Sequence, residues 1–147
     1  MADDGKFYIN INMNTINLMF DGYWRECNKS GVPSKAGIYC VYTCVYNENE
    51  KTVTIKKLIY IGEATNVNDR ISTHEKLDRF LEQCSKGEII CYSFAPVMNP
   101  DREMAEAALI YKHKPPLNDE YANNYPFASV RITTKGKNKF LKSDFTV

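Results

Sequence analysis

No stretch of this 147-residue chain comes near the roughly eighteen consecutive apolar residues that a transmembrane helix needs, so no membrane span is expected. The opening Met1-Ala2-Asp3-Asp4-Gly5 is acidic and polar, unlike a secretion signal. None of the five cysteines form a C-x-x-C pair, and the only two histidines, His74 and His113, are not clustered, which argues against a zinc site. Cys40, Cys44, Cys84 and Cys91 lie in apolar runs and read as reduced, buried thiols of a cytoplasmic protein. A strongly basic total is missing as well. The formal net charge is +1, so any phosphate-binding surface must come from local clustering. Repeats, low-complexity tracts and linkers are absent, and no zinc finger, helix-turn-helix or second catalytic domain is recognisable.

The composition is that of one ordinary globular domain: 44% hydrophobic and 25% charged. Residues 1–34 are expected to form an arm packed on the domain. Phe7–Ile11 alternates like a short strand, Leu18–Trp24 is rich in large apolar groups, and Gly31-Val32-Pro33-Ser34 is turn chemistry. Gly37–Tyr46 and Thr52–Ile61 are rich in β-branched and aromatic residues and predict a long hairpin about Asn47–Glu50. A helix is expected from a cap at Asn66 to about Cys84, and then a strand over Glu88–Ala95. Asn99 and Pro100 should cap and open a second helix, which runs to about His113 before Pro115-Pro116. Val130–Thr133 and Phe140–Val147 predict a last hairpin about Lys135–Asn138. The fold class is therefore α/β (α+β): a small sheet of three or more strands, mixed or antiparallel, flanked by helices, with N- and C-terminal extensions.

Helical wheels single out three polar residues. On the first helix Val67, Ile71, Leu77, Phe80, Leu81 and Cys84 share one side, and Asn68, Asp69, Ser72, Lys76, Arg79 and Gln83 the other. Arg70 and His74 fall within the apolar arc. An arginine there either pairs with a structural carboxylate or aims its guanidinium at an anion; His74 is either a satisfied core histidine or a donor to the same anion. On the second helix Glu106 sits between Leu109 and Ile110, while Asp101, Ala108 and Lys112 face away. A carboxylate so placed is a structural ion pair, an acid with a raised pKa, or a ligand for Mg²⁺. In the hairpin, pairing Tyr46 with Lys51 sets Tyr39 opposite Leu58 and Gly37 opposite Tyr60, which puts Tyr39 and Tyr60 on one face, about 7–8 Å apart as diagonal neighbours. A β-bulge would break that register.

Gly37-Ile38-Tyr39 and Tyr60-Ile61-Gly62 are followed in order by Arg70, His74, Glu106-Ala107-Ala108-Leu109-Ile110 and Pro115-Pro116-Leu117-Asn118. Over residues 36–119 this pattern resembles the GIY-YIG nuclease family, with a longer gap between the two tripeptides than compact members have. The resemblance implies a nuclease core over 35–119 and a C-terminal β-like extension over 120–147. It implies a metal-dependent DNA endonuclease that leaves 5′-phosphate and 3′-hydroxyl ends, in restriction, repair or mobile-element work. Catalysis would fall to Tyr39, Tyr60, Arg70, His74 and Glu106, with Glu106 holding one Mg²⁺ or Mn²⁺, Tyr39 helping to deprotonate the water, and Gly37, Gly62 and Asn118 in supporting places. A homodimer or a protein partner could supply specificity. The alternatives are a nucleic-acid-binding module without catalysis and a protein-interaction domain on the same fold. Arg131, Lys135, Lys137, Lys139 and Lys142 form a local basic cluster, read either as a solvated turn or as a contact to the nucleic-acid backbone.

Overall fold

The structure, a computed structural model, describes residues 14–147; the strand expected at Phe7–Ile11 lies outside them. The fold is mixed α/β, built on one six-stranded sheet in the order β3-β2-β4-β1-β5-β6. Its strands are β1 (Asn14–Arg25), β2 (Gly37–Asn47), β3 (Thr52–Ala64), β4 (Ile89–Pro96), β5 (Val130–Gly136) and β6 (Asp144–Thr146). The sheet is larger than expected because both ends of the chain enter it. Residues 14–25 are not an arm laid on the domain: Ile16, Leu18 and Phe20 alternate inward, and β1 pairs antiparallel with β4 and parallel with β5. A 3-10 turn, Glu26–Gly31, carries the chain into β2.

Two apolar layers sandwich the sheet. Helix α3 (Asp101–His113) packs its Ala105, Ala108 and Leu109 with Ile38, Cys40, Tyr42, Ile61, Ile16, Leu18 and Ile132. The other face carries Tyr39, Val41, Tyr92 and Phe94 under α1 (Val67–Ser72) and α2 (Leu77–Glu82). No helix among the described residues is long and apolar enough to cross a membrane. Cys40, Cys44 and Cys91 are buried free thiols, Cys84 is half-buried, and Cys27 is exposed.

Several local expectations need correcting. The hairpin turn closes one residue later, pairing Asn47 with Thr52 and Tyr46 with Val53, which moves the register by two. Bulges then add Lys56 and Ile59 to β3, so Tyr39 faces Gly62 and Gly37 faces Ala64. The total slip is even and the two bulges cancel in parity, which keeps Tyr39 and Tyr60 on one face in a register other than the expected one. The single helix expected over 66–84 is broken at Thr73–Lys76. There the His74 side chain turns inward and its Nδ1 accepts the Lys76 backbone N–H, a donor that a continuous helix would bond to Ser72. The break also leaves Leu81 half-exposed. Asn66 does cap α1, its side chain accepting the Asp69 N–H. Helix α3 starts at Asp101 without a side-chain cap, after Asn99 and Pro100. Ala108 is buried, not outward; it belongs to the core cluster against which Tyr121 and Tyr125 also pack.

Candidate active site

Tyr39, Tyr60 and His74 form a tight aromatic cluster. Ring centroids lie 6.2 Å apart for Tyr39–Tyr60, 5.8 Å for Tyr39–His74 and 5.6 Å for Tyr60–His74, with Phe80 closing the far side. Gly62 makes room for it: a Cβ there would run into the Tyr39 ring, and one on Gly37 would strike the Ala95 carbonyl of β4. These two glycines set the strand spacing on either side of Tyr39.

The hydrogen bonds around His74 fix its tautomer. Nδ1 accepts the Lys76 N–H at 3.1 Å, so it carries the lone pair. Burial and the nearby Arg70 charge hold the imidazole down at about 4, so it is neutral at pH 7. Its one proton is then on Nε2, which donates to the Tyr39 hydroxyl oxygen at 2.7 Å. The phenol thus accepts from His74 and must direct its own proton elsewhere. Burial, and next the neighbouring Tyr60, raise the Tyr39 hydroxyl far above the usual tyrosine range, while Arg70 pulls the other way. Tyr60 is raised by burial and then by Glu106.

Arg70 is partly exposed and holds Glu75 in a two-pronged pair, Nη1–Oε2 at 2.5 Å and Nη2–Oε1 at 2.8 Å. This pairing lifts the guanidinium further and lowers Glu75 to about 2. Both readings of Arg70 therefore meet in one place: it is paired with a carboxylate, and it lies close enough to Tyr39 and Tyr60 to shift them.

Glu106 opens into a separate cleft of about 230 Å³ whose walls include Tyr60, Lys76, Leu117, Asn118, Asp119 and Glu120. Tyr60 connects the two parts; Tyr39, Arg70 and His74 do not line this cleft. Burial raises the Glu106 carboxyl to about 8, helped by Glu63, Glu120 and Glu103. Glu63 in turn binds buried Arg102 at 2.6 Å. Among the described residues no group of three His, Cys, Asp or Glu is disposed to hold a metal. The donor chemistry still suits Mg²⁺, which needs only one or two carboxylates and keeps several waters. A cation beside Glu106 would relieve the crowding of like charge that holds its proton on.

Asn118 clips the edge strand. Its Oδ1 accepts the Ile61 N–H and its Nδ2 donates to the Ile61 carbonyl, both at 2.9 Å, while the Leu117 N–H donates to Ile59. The amide is thereby used up on β3. The basic cluster lies away from the tyrosines. Arg131 is paired with Asp144 at 2.6 Å; Lys135, Lys137, Lys139 and Lys142 are exposed on and after β5. Sequence reasoning missed Lys76, Glu63 and Glu120. Lys76 reaches the cleft only because the helix breaks before it, and Glu63 and Glu120 meet Glu106 only through the tertiary fold.

No known protein family, curated protein or solved structure matches this chain. The GIY-YIG resemblance therefore rests on the sequence motifs of the chain alone.

Proposed function

We propose that the chain is a metal-dependent DNA endonuclease of the GIY-YIG type, hydrolysing phosphodiester bonds to 5′-phosphate and 3′-hydroxyl ends. The observation that carries this reading is the Tyr39–Tyr60–His74 cluster, all three ring pairs within 6.2 Å, beside Arg70 and adjoining the cleft that holds Glu106. Residues 67 positions apart, from Tyr39 to Glu106, influence one another here, since Glu106 acts on both tyrosines.

Glu106 would hold the divalent ion, Mg²⁺ or Mn²⁺, which would polarise the scissile phosphate and stabilise the departing 3′ oxygen. Arg70 takes a phosphate oxygen in place of Glu75. That exchange is cheap, because Glu75 is exposed and such pairs contribute little. Its fork then stabilises the charge that grows on the phosphate. His74 donates from Nε2 to the Tyr39 oxygen, which favours the phenolate; the phenol's own proton would leave to solvent, and the phenolate would then take a proton from the attacking water as it adds to phosphorus. Tyr60 walls the cleft and positions the phosphate. The test is incubation of supercoiled plasmid with the protein and Mg²⁺ or Mn²⁺, followed by analysis of the ends. Metal-dependent nicks that a ligase reseals without prior phosphorylation are expected. An intact plasmid with either ion would overturn the reading.

A further inference from the structure

Three depressions follow one another along β3. At Tyr60 lies the Glu106 cleft; next comes a groove of about 350 Å³ between Lys56 and Phe140; at Lys51, in the turn just before β3, is a cleft of about 450 Å³. The nine residue steps from Lys51 to Tyr60, shortened by two bulges, span at most roughly 30 Å. The segment after β5 follows the same line, giving Lys137 to the far cleft and Phe140 to the middle groove.

We infer that the nucleic acid cut at the tyrosine cluster lies along β3, its backbone phosphates held at the other end of the strand, up to about 30 Å away, by Arg25, Lys51 and Lys137. This rests on the nuclease reading. Among the described residues no carboxylate lines the far cleft, and none of the three cations forms a salt bridge. Arg25 is stacked on the Tyr46 ring at 3.7 Å, which fixes its plane and leaves its N–H donors free at the edge. Three like charges in one cleft repel unless an anion joins them. The two ends of β3 thus carry opposite demands, carboxylates at Glu106 and free cations at Lys51, as a polyanion held at one end by a metal requires.

The middle groove indicates a polymer over a small anion. Lys56 stands there on a bulge and has no salt-bridge partner among the described residues. Phe140 is 49% exposed and held at φ +67°, a backbone conformation that a bulky side chain rarely adopts. An aromatic ring kept in the open beside amines is a stacking platform for a base.

The test measures binding without divalent ions to duplexes of about 8 and about 24 base pairs, across salt, for the wild-type protein and Arg25→Gln/Lys51→Gln/Lys137→Gln. The wild type should prefer the long duplex. The triple variant should lose that preference, with a salt slope shallower by about 2–3 units. Phe140→Ala, an independent variant, should weaken binding of a single strand of about 24 nucleotides roughly tenfold, because only an unpaired base offers a face to the ring. If the wild type cuts DNA and the triple variant keeps the same affinity and slope for the long duplex, the track along β3 is overturned alone. Loss of pyrophosphate binding with no change for the long duplex would overturn it in favour of a small-anion site. A wild-type protein that binds neither duplex overturns the nuclease reading and the track together.

Discussion

Tyr39 has almost no contact with solvent, and burial alone would make it a poor base. What changes its chemistry is the proton that His74 points at its oxygen, because that hydrogen bond grows stronger as the phenol loses its own proton. The same logic of burial and neighbours governs Glu106, with the opposite consequence. Its carboxyl is raised from an ordinary 4.5 to about 8. For a group raised on folding, the neutral form's stabilisation is complete below about 4.5 and is lost as pH climbs through about 8. Without divalent ions, Glu106→Gln should therefore melt at a temperature close to wild type at pH 4 and several degrees above it at pH 9. Mg²⁺ should raise the wild-type melting temperature more at pH 9 than at pH 6, since binding needs the ionised carboxylate. Thermal melts of both proteins across pH check this, and a difference that does not change with pH would refute the assignment.

At the scale of elements, the edge of β3 is the part most exposed to failure. Asn118 satisfies both backbone groups of Ile61, one residue from Tyr60 and one from Gly62. Asn118→Ala should cost about 1–3 kcal/mol in denaturant unfolding, through two unpaired groups in a half-buried setting, and should loosen Tyr60 enough to slow cleavage. Unchanged stability would mean that water replaces the amide at no cost. How much of this was legible beforehand differs between elements. The shared face of Tyr39 and Tyr60 followed from period-two alternation, yet the register did not, because bulges at Lys56 and Ile59 leave no mark in a strand already rich in β-branched residues. The apolar arc on 67–84 was real at Val67, Ile71 and Phe80, but the break at Thr73–Lys76 comes from a tertiary pull on His74 into the tyrosine cluster, which a helical wheel cannot contain. Glu106 emerged from the α3 wheel. Besides burial and Glu103 of the same helix, Glu63 of β3 and Glu120 of the segment after α3 raise it, and their meeting with Glu106 is a property of the fold.

At the scale of the whole molecule, the resemblance over 36–119 is shorter than the folded unit. Strand β4 is held between β2 and β1, and the α3 layer of the core depends on Ile16, Leu18 and Phe20 from β1 and on Val130 and Ile132 from β5. Parallel pairing of Asn14–Phe20 with Val130–Gly136 joins segments more than a hundred residues apart, and no local pattern announces it. A fragment of residues 35–119 should therefore fail to fold, giving a collapsed amide spectrum and no cooperative melt, whereas residues 14–147 should melt in one transition. A cooperative 35–119 fragment would show that the outer strands are accessory.

The central claim is that Tyr39, with His74 donating to its oxygen, takes part in cutting the phosphodiester bond. Tyr39→Phe removes one hydroxyl from a buried ring and preserves the ring's packing against Gly62 and Tyr60. The most direct measurement is single-turnover DNA cleavage with saturating Tyr39→Phe protein and Mg²⁺, set beside the wild type and accompanied by a binding titration. The account predicts a rate lower by a factor of about 10²–10⁴ with DNA affinity within about twofold of wild type. A wild-type rate in Tyr39→Phe would contradict it.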